Sequence, residues 1–267
     1  MEAQGNLLKM KTSLVNGEVA YQLKLNDELI SMNQLIGKSI TLDYQHQINC
    51  IACGKKTSKS FSQGFCYNCF QTAPETEECV LKPETCRAHL GEARDMAFAQ
   101  SHCLIPHYVY LAVASGIKVG ITRETQIPTR WIDQGAWKAV IVAKVPNRHI
   151  AGVMEVFLKD YFADKTNWRS MLKNEQAHAI DILAEKEKAI GLLPAELKQY
   201  VVSEEPVWEL SYPVQAFPLK PQSLSIDKED SISGILKGIK GQYLLLDQDR
   251  VLNIRKHNGY MVKLTAE

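Results

Sequence analysis

The sequence predicts an α+β protein, with β-rich segments at both ends, a zinc ribbon after the first of them, and a central mixed sheet with helices. Three observations carry this prediction. Residues 1–49 and 205–267 read as short runs of strand-forming residues broken by turn residues. Two CxxC pairs stand together within residues 50–70. Residues 104–170 alternate strand-like runs with one amphipathic helical stretch.

Composition narrows the functional classes. The 267 residues suffice for one large domain or two to three small ones, and 45% of them are apolar, so a real core can be buried. The formal net charge of +1 excludes a protein-wide basic footprint, so any polyanion-binding face must be local. No stretch of about 18 apolar residues is present, so no membrane-spanning helix is expected. The opening MEAQGNLLKMK lacks an apolar signal core, so export is not expected either. In such a chain, seven cysteines point to reduced, metal-binding thiols rather than disulfides. Together these features describe a cytoplasmic protein.

Within residues 1–49, strands are expected at Leu7–Val15, Val19–Leu25 and Ser39–Tyr44, with Asn16-Gly17 as a hairpin turn. The next stretch, CIACGKKTSKSFSQGFCYNCF, is the most specific in the chain. Cys50 and Cys53 form one CxxC turn, Cys66 and Cys69 another, with twelve residues between them. Each turn aims two sulfurs at one point, and two such turns make a tetrahedral thiolate cage suited to Zn²⁺. This predicts a structural zinc ribbon over residues 50–70, the alternative being a redox dithiol. Lys55, Lys56 and Lys59 give its loop positive charge and no acid, fit to touch phosphate or simply to be solvated.

Residues 71–103 form a second Cys/His-rich segment, with a helix expected over Arg87–Gln100. Cys79, Cys86, His89 and Cys103 are candidate ligands for a second zinc, with His107 as substitute for one of them and His102 nearby. Buried cysteines and surface histidines are the alternative.

The centre, 104–170, opens on YVYLAVASGIKVGITR, a hairpin over Tyr108–Arg123 turning at Ser115-Gly116. A helix start at Pro128-Thr129 holds Arg130 near the end of the second strand. A third strand follows near Ala139–Val145. The run AGVMEVFLKDYFADKTNW then forms an amphipathic helix with Ile150, Val153, Met154, Phe157, Leu158 and Tyr161 on its apolar face. Glu155 lies at the border of that face, and Asn167 follows past the helix end. This part carries nine Lys or Arg against five Asp or Glu, a local excess of +4 that favours a polyanion.

Residues 171–204 are expected to be helical, with Ala179, Ile182, Leu183 and Ile190 apolar. Four prolines in Glu205–Pro221 mark an edge strand or linker. GILKGIKGQYLLLD, VLNIRK and YMVKL then give three strand-like runs. The two terminal β segments are candidates to pair into one small barrel.

Tyr108-Val109-Tyr110, Lys118-Val119-Gly120, Arg130, Glu155 and Asn167, in that order, resemble the landmarks of GIY-YIG nuclease domains. The resemblance covers about a quarter of the chain, residues 105–170. It implies a mixed sheet with helices, in which Tyr110 orients or activates water, Arg130 steadies the phosphate, Glu155 holds Mg²⁺ or Mn²⁺ and Asn167 braces the site. Such a set suits phosphodiester cleavage, which needs charge neutralisation and an aligned water. Lys118 departs from the pattern, standing where that family has a tyrosine. It can bind phosphate as a point charge, lower the pKa of Tyr110, or mark a domain that binds without cutting. The first motif also lacks its glycine.

The wider layout, with KVGITR, RWIDQGA, KTNW and GIKGQYL, resembles a bacterial domain-of-unknown-function family. It makes Asp133, Gln134 and Trp168 candidates to line the site or to pack turns. Each landmark also has a structural reading: Tyr110 as a core tyrosine, Lys118 as a solvent-facing strand residue, Arg130 with Glu155 as an ion pair, and Asn167 as a left-handed helix end. The expected function is that of a zinc-containing nucleic-acid-binding protein, with DNA or RNA as partner and a metal-dependent endonuclease as the enzymatic form. The alternatives are a non-catalytic nucleic-acid or ribonucleoprotein module and a zinc-stabilised protein-interaction adaptor.

Overall fold

Asn16 and Gly17 both adopt positive φ, 51° and 82°, the mirror-image turn whose twist matches its flanking strands. They join β1 (Glu2–Val15) to β2 (Glu18–Leu25) in a computed structural model that describes residues 1–175 and 180–267. Alternation along β2 buries Val19, Tyr21, Leu23 and Leu25 on one face. The chain continues through β3 (Glu28–Ser31), β4 (Ser39–Asn49), the short β5 (Lys56–Thr57) and helix α1 (Tyr67–Thr72).

Two compact units follow from the contacts: Met1–Ala73 with Ser211–Glu267, and Pro74–Leu210. In the second unit the elements are α2 (Met96–His102), β6 (His107–Val113), β7 (Ile117–Arg123), α3 (Thr129–Asp133), β8 (Lys138–Val145) and α4 (Arg148–Leu158). After them come α5 (Trp168–Leu172), α6 (Ile182–Leu192), α7 (Ala195–Lys198) and β9 (Trp208–Glu209). The chain then completes the first unit with β10 (Gln222–Ser223), β11 (Ser231–Lys240), β12 (Tyr243–Leu246), β13 (Arg250–Asn253) and β14 (Tyr260–Ala266).

In the first unit the terminal β segments do pair: β14 lies between β1 and β4, and β11 pairs with β4. They do not close a barrel. The strand order is β10-β13-β12-β11-β4-β14-β1-β2-β3, with β5 beside β4. The order ends on a two-residue and a four-residue strand, which offer too few backbone groups to join into a ring.

The second unit is built on a sheet of order β7-β6-β8-β9. Val109, Leu111 and Val113 of β6 pack with Val140 and Val142 of β8 and with Ala151, Met154 and Leu158 of α4. Burying each such Val, Leu or Met side chain is worth about 1.5–3 kcal/mol. Asn147 starts α4 by accepting the Ile150 amide at 3.0 Å. The proline-rich stretch supplies β9, an edge strand paired with β8.

The expected helix Arg87–Gln100 does not form. Ala88–Leu90 makes one tight turn that ends at Gly91 in the left-handed region (φ 81°), and a new helix begins only after Asp95, whose carboxylate accepts the Phe98 amide. Residues 171–204 are likewise not one helix, because Pro194 separates α6 from α7; Ala179 lies outside the described residues. No described helix is long and apolar enough to cross a membrane.

Candidate functional site

Cys50 sits at the end of β4 and Cys53 in the turn after it, where the Gly54 amide closes on the Cys50 carbonyl at 2.9 Å. Cys66 is the residue before α1, so Cys69 follows within its first turn. The four sulfurs all lie within 4.8 Å of one another. Burial pushes the Cys50 thiol up, but the backbone amides of Cys53, Cys66 and Ala52 aim at its sulfur and bring it down to about 6. This set can hold zinc. Around it, Lys59 lies over the Phe61 ring at 5.2 Å, Phe61 stacks on Phe70 at 5.9 Å, and Tyr67 and Phe70 are exposed. A groove of about 350 Å³ lined by Tyr44, His46 and Lys56 adjoins β4 and β5.

A second thiol group gathers three of the expected ligands. Cys79 and Cys86 come from two separate turns and Cys103 from the end of α2; they are 6%, 3% and 3% exposed, and their sulfurs lie within 4.8 Å of one another. This group too can hold zinc. His89 is not in the set; its ring stacks on His149 with centroids 4.4 Å apart. His107 is sealed, with Nδ1 2.8 Å from the Ile105 carbonyl, and burial pulls its pKa down to about 4.

The third feature lies on the face of β6 and β7 that carries Tyr110 and Lys118. Register places Tyr110 directly opposite Gly120, two residues from Lys118. A β-carbon at Gly120 would meet the Tyr110 hydroxyl at 2.7 Å, so the missing side chain is the space the ring occupies. Tyr110 is fully buried, edge-on to Trp131, and its hydroxyl exchanges hydrogen bonds with the Gln134 amide at 3.0 and 3.2 Å. Burial raises its pKa, opposed by the Arg130 guanidinium and the Gln134 amide.

Lys118 is 7% exposed, against the solvent-facing alternative, because the chain at Ala163 runs alongside it and accepts the Val119 amide at 2.9 Å. Burial, then repulsion from Arg130, lowers its pKa to about 8; Glu155 and Asp164 pull the other way. Burial raises the Glu155 pKa, with Lys159 and Arg130 opposing. Tyr110 and Lys118 thus each sense Arg130 and Glu155.

Asn167 has a different task. It is neither a left-handed helix end nor a brace between these groups: its side-chain oxygen caps α5, accepting the Arg169 and Ser170 amides at 3.0 and 3.2 Å. Beside it, Arg169 covers the Trp168 ring at 4.3 Å. The reading of the sequence omitted Lys159 and Asp164. Lys159 lies 3.7 Å from Glu155 and 3.8 Å from Asp164, and its i,i+4 spacing from Glu155 was the available signal. It also omitted Arg148, which is buried and donates to the Cys79 and Val80 carbonyls at 2.7 and 2.9 Å.

Lys118 costs the fold stability. Its folded pKa lies below its unfolded value, so the unfolded chain binds the extra proton between pH about 8 and about 10.5, and the penalty is fully present below that window. Lys118→Met is expected to stabilise the chain at pH 7 by about 1–3 kcal/mol, a gain that shrinks as pH climbs through that window. Denaturant unfolding at pH 7 and pH 10 measures it.

No curated protein and no solved structure matches the chain. The family model that does match spans residues 37–262, including both thiol groups and all of the cationic face. The chain therefore belongs to the family described as Protein of unknown function (DUF2797).

Proposed function

We propose that the chain is a zinc-containing nucleic-acid-binding protein that receives a phosphate of its ligand between Lys118 and Arg130. One observation carries the reading: two cations, one nearly sealed, push against each other around a single helix-borne carboxylate. Lys118 senses Glu155 and Asp164 as its opposite charges, Lys159 lies 3.7 Å from Glu155 and 3.8 Å from Asp164, and Glu84 acts on Glu155 as a further acid. A multi-oxygen anion relieves that imbalance, and nucleic acid offers one at every nucleotide. The acid-free Lys55, Lys56 and Lys59 loop of the first thiol group, with the exposed Tyr67 and Phe70 rings, supports the same ligand class through charge and base stacking. Zinc on Cys50, Cys53, Cys66 and Cys69 would hold that surface in shape.

Metal-dependent hydrolysis of the GIY-YIG type is the second reading. It is favoured by the meeting of the Tyr110 hydroxyl, Arg130 and Glu155. In it Tyr110 would orient water, Lys118 and Arg130 would bind phosphate, Glu155 would hold Mg²⁺ or Mn²⁺, and Asn167 would act through α5. The donor set fits this ion poorly. Glu155 already faces Lys159, and hard divalent cations want several oxygens. Tyr110 is sealed from solvent as well. Binding without turnover is therefore the better-supported function.

Fluorescence anisotropy with labelled single-stranded DNA, duplex DNA and single-stranded RNA tests both readings, with Mg²⁺ and with EDTA. The expected result is binding that weakens with salt, persists in EDTA and in Glu155→Gln, and leaves every oligonucleotide intact. Cleavage abolished by Glu155→Gln would establish the second reading. Absence of affinity for all three would overturn both and leave a zinc-stabilised adaptor.

A further inference from the structure

We propose that Cys79, Cys86 and Cys103 bind one thiophilic divalent ion of the zinc class through three thiolates, leave its fourth corner to a donor from outside the protein, and thereby seat helix α4.

The first argument is convergence. Three sulfurs from a turn at Glu78–Val80, the end of a turn at Pro83–Thr85 and the end of α2 meet within 4.8 Å, each almost sealed from solvent. All three are free thiols. Disulfide pairing can join two of them and leaves the third over, whereas a soft tetrahedral cation accepts all three.

The second is the poverty of the local core. The apolar cluster of this region consists of the three cysteines, Ala88 and Ala99, with Ala93, Met96 and Leu104 partly buried against it. Alanines and thiols bury little area. The backbone between Pro74 and Cys103 is organised as single turns and one seven-residue helix, with no strand ladder. Segments that small and that poor in apolar bulk are usually held by a metal or a disulfide. Ion binding would supply the missing energy, since folding and ligation are then one event.

The third ties the site to α4. The Arg148 side chain donates to the carbonyls of Cys79 and Val80, and its amide donates to the Cys103 carbonyl at 2.8 Å. One turn on, Gly152 lies bare against Pro83 and Glu84, between two of the thiols in sequence. The helix that carries Glu155 is thus clamped to backbone whose shape the ion would fix. His89, the imidazole nearest in sequence to Cys86, stacks on His149 outside the donor group, and among the described residues no fourth Cys, His, Asp or Glu joins the three sulfurs.

The test is metal content of the purified full-length chain by elemental analysis and native mass spectrometry, with zinc in the growth medium. Two equivalents per chain are expected for the wild type and for His89→Ala, and one each for Cys103→Ser and Cys50→Ser. A second measurement needs no variant to fold: hydrogen exchange of the wild type is followed after chelation. Residues 74–103 and α4 should lose protection together. One equivalent in the wild type, unchanged by Cys103→Ser, would overturn the site. A drop to one in His89→Ala would overturn the open corner, and α4 protection that survives chelation would overturn the seating. None of these outcomes depends on whether the chain binds nucleic acid.

Discussion

Gly152→Ala is expected to destabilise the second unit by about 3 kcal/mol or more. A β-carbon there would lie 2.2 Å from the Glu84 amide nitrogen and 2.4 Å from the Pro83 carbonyl carbon. These are backbone atoms, so no rotamer change relieves the clash. Helix α4 must back away from the turn, and Met154 and Leu158, both fully buried, must back away from the sheet with it. The gain in helix propensity from Gly to Ala is only about 1 kcal/mol and cannot offset this. All four tryptophans, Trp131, Trp137, Trp168 and Trp208, belong to the second unit. Their fluorescence during urea unfolding therefore reads the effect selectively. A midpoint within error of the wild type would show that α4 is not seated on this turn.

Cys50→Ser is expected to release one zinc equivalent and to unfold the stretch from Cys50 to Ala73 locally. A structural zinc contributes on the order of 10 kcal/mol of apparent binding energy, and the stretch has little else to hold it. Its own ordered elements are the two-residue β5 and the six-residue α1, which buries no side chain fully. Trypsin should then cut faster at Lys55, Lys56 and Lys59, whose side chains are already exposed and whose backbone the cage would no longer hold. Tryptophan unfolding in the second unit should be unchanged, because the thiol cage belongs to the first. Retained zinc with unchanged trypsin resistance would contradict this account of the cage.

What the sequence revealed was mostly local. Asn16-Gly17 fixes its turn by backbone preference alone, and the hairpin at Ser115-Gly116 follows from β-formers on either side. The two CxxC turns are equally local, and their spacing suffices to bring four sulfurs together. Arg130, Glu155, Lys118 and Tyr110 were chosen by order along the chain, and they do share one neighbourhood.

The misses come from partners far away in sequence. Nothing near the termini reveals that the sheet stays open, since that depends on β10 and β3 finding no ladder between them. Arg148 looked unremarkable because its acceptors, the Cys79 and Val80 carbonyls, lie 69 and 68 residues away. The false helix at Arg87–Gln100 has a different cause. Gly91, a stop signal, and Asp95, a start signal, both present in the sequence, divide that stretch. Asn167 shows the same ambiguity, because asparagine serves either end of a helix and only the next turn decides which.

The claim that Lys118 and Arg130 receive a phosphate is tested most directly by the salt dependence of binding to single-stranded nucleic acid. Wild type and the Lys118→Met/Arg130→Met double variant are titrated across a range of ionic strengths. Removing two phosphate contacts should flatten the slope of log affinity against log salt by about 1.4. Affinity at low salt should fall at the same time, while Lys118→Met keeps the fold at least as stable as the wild type. Parallel lines of equal affinity would mean that no phosphate sits between these two side chains.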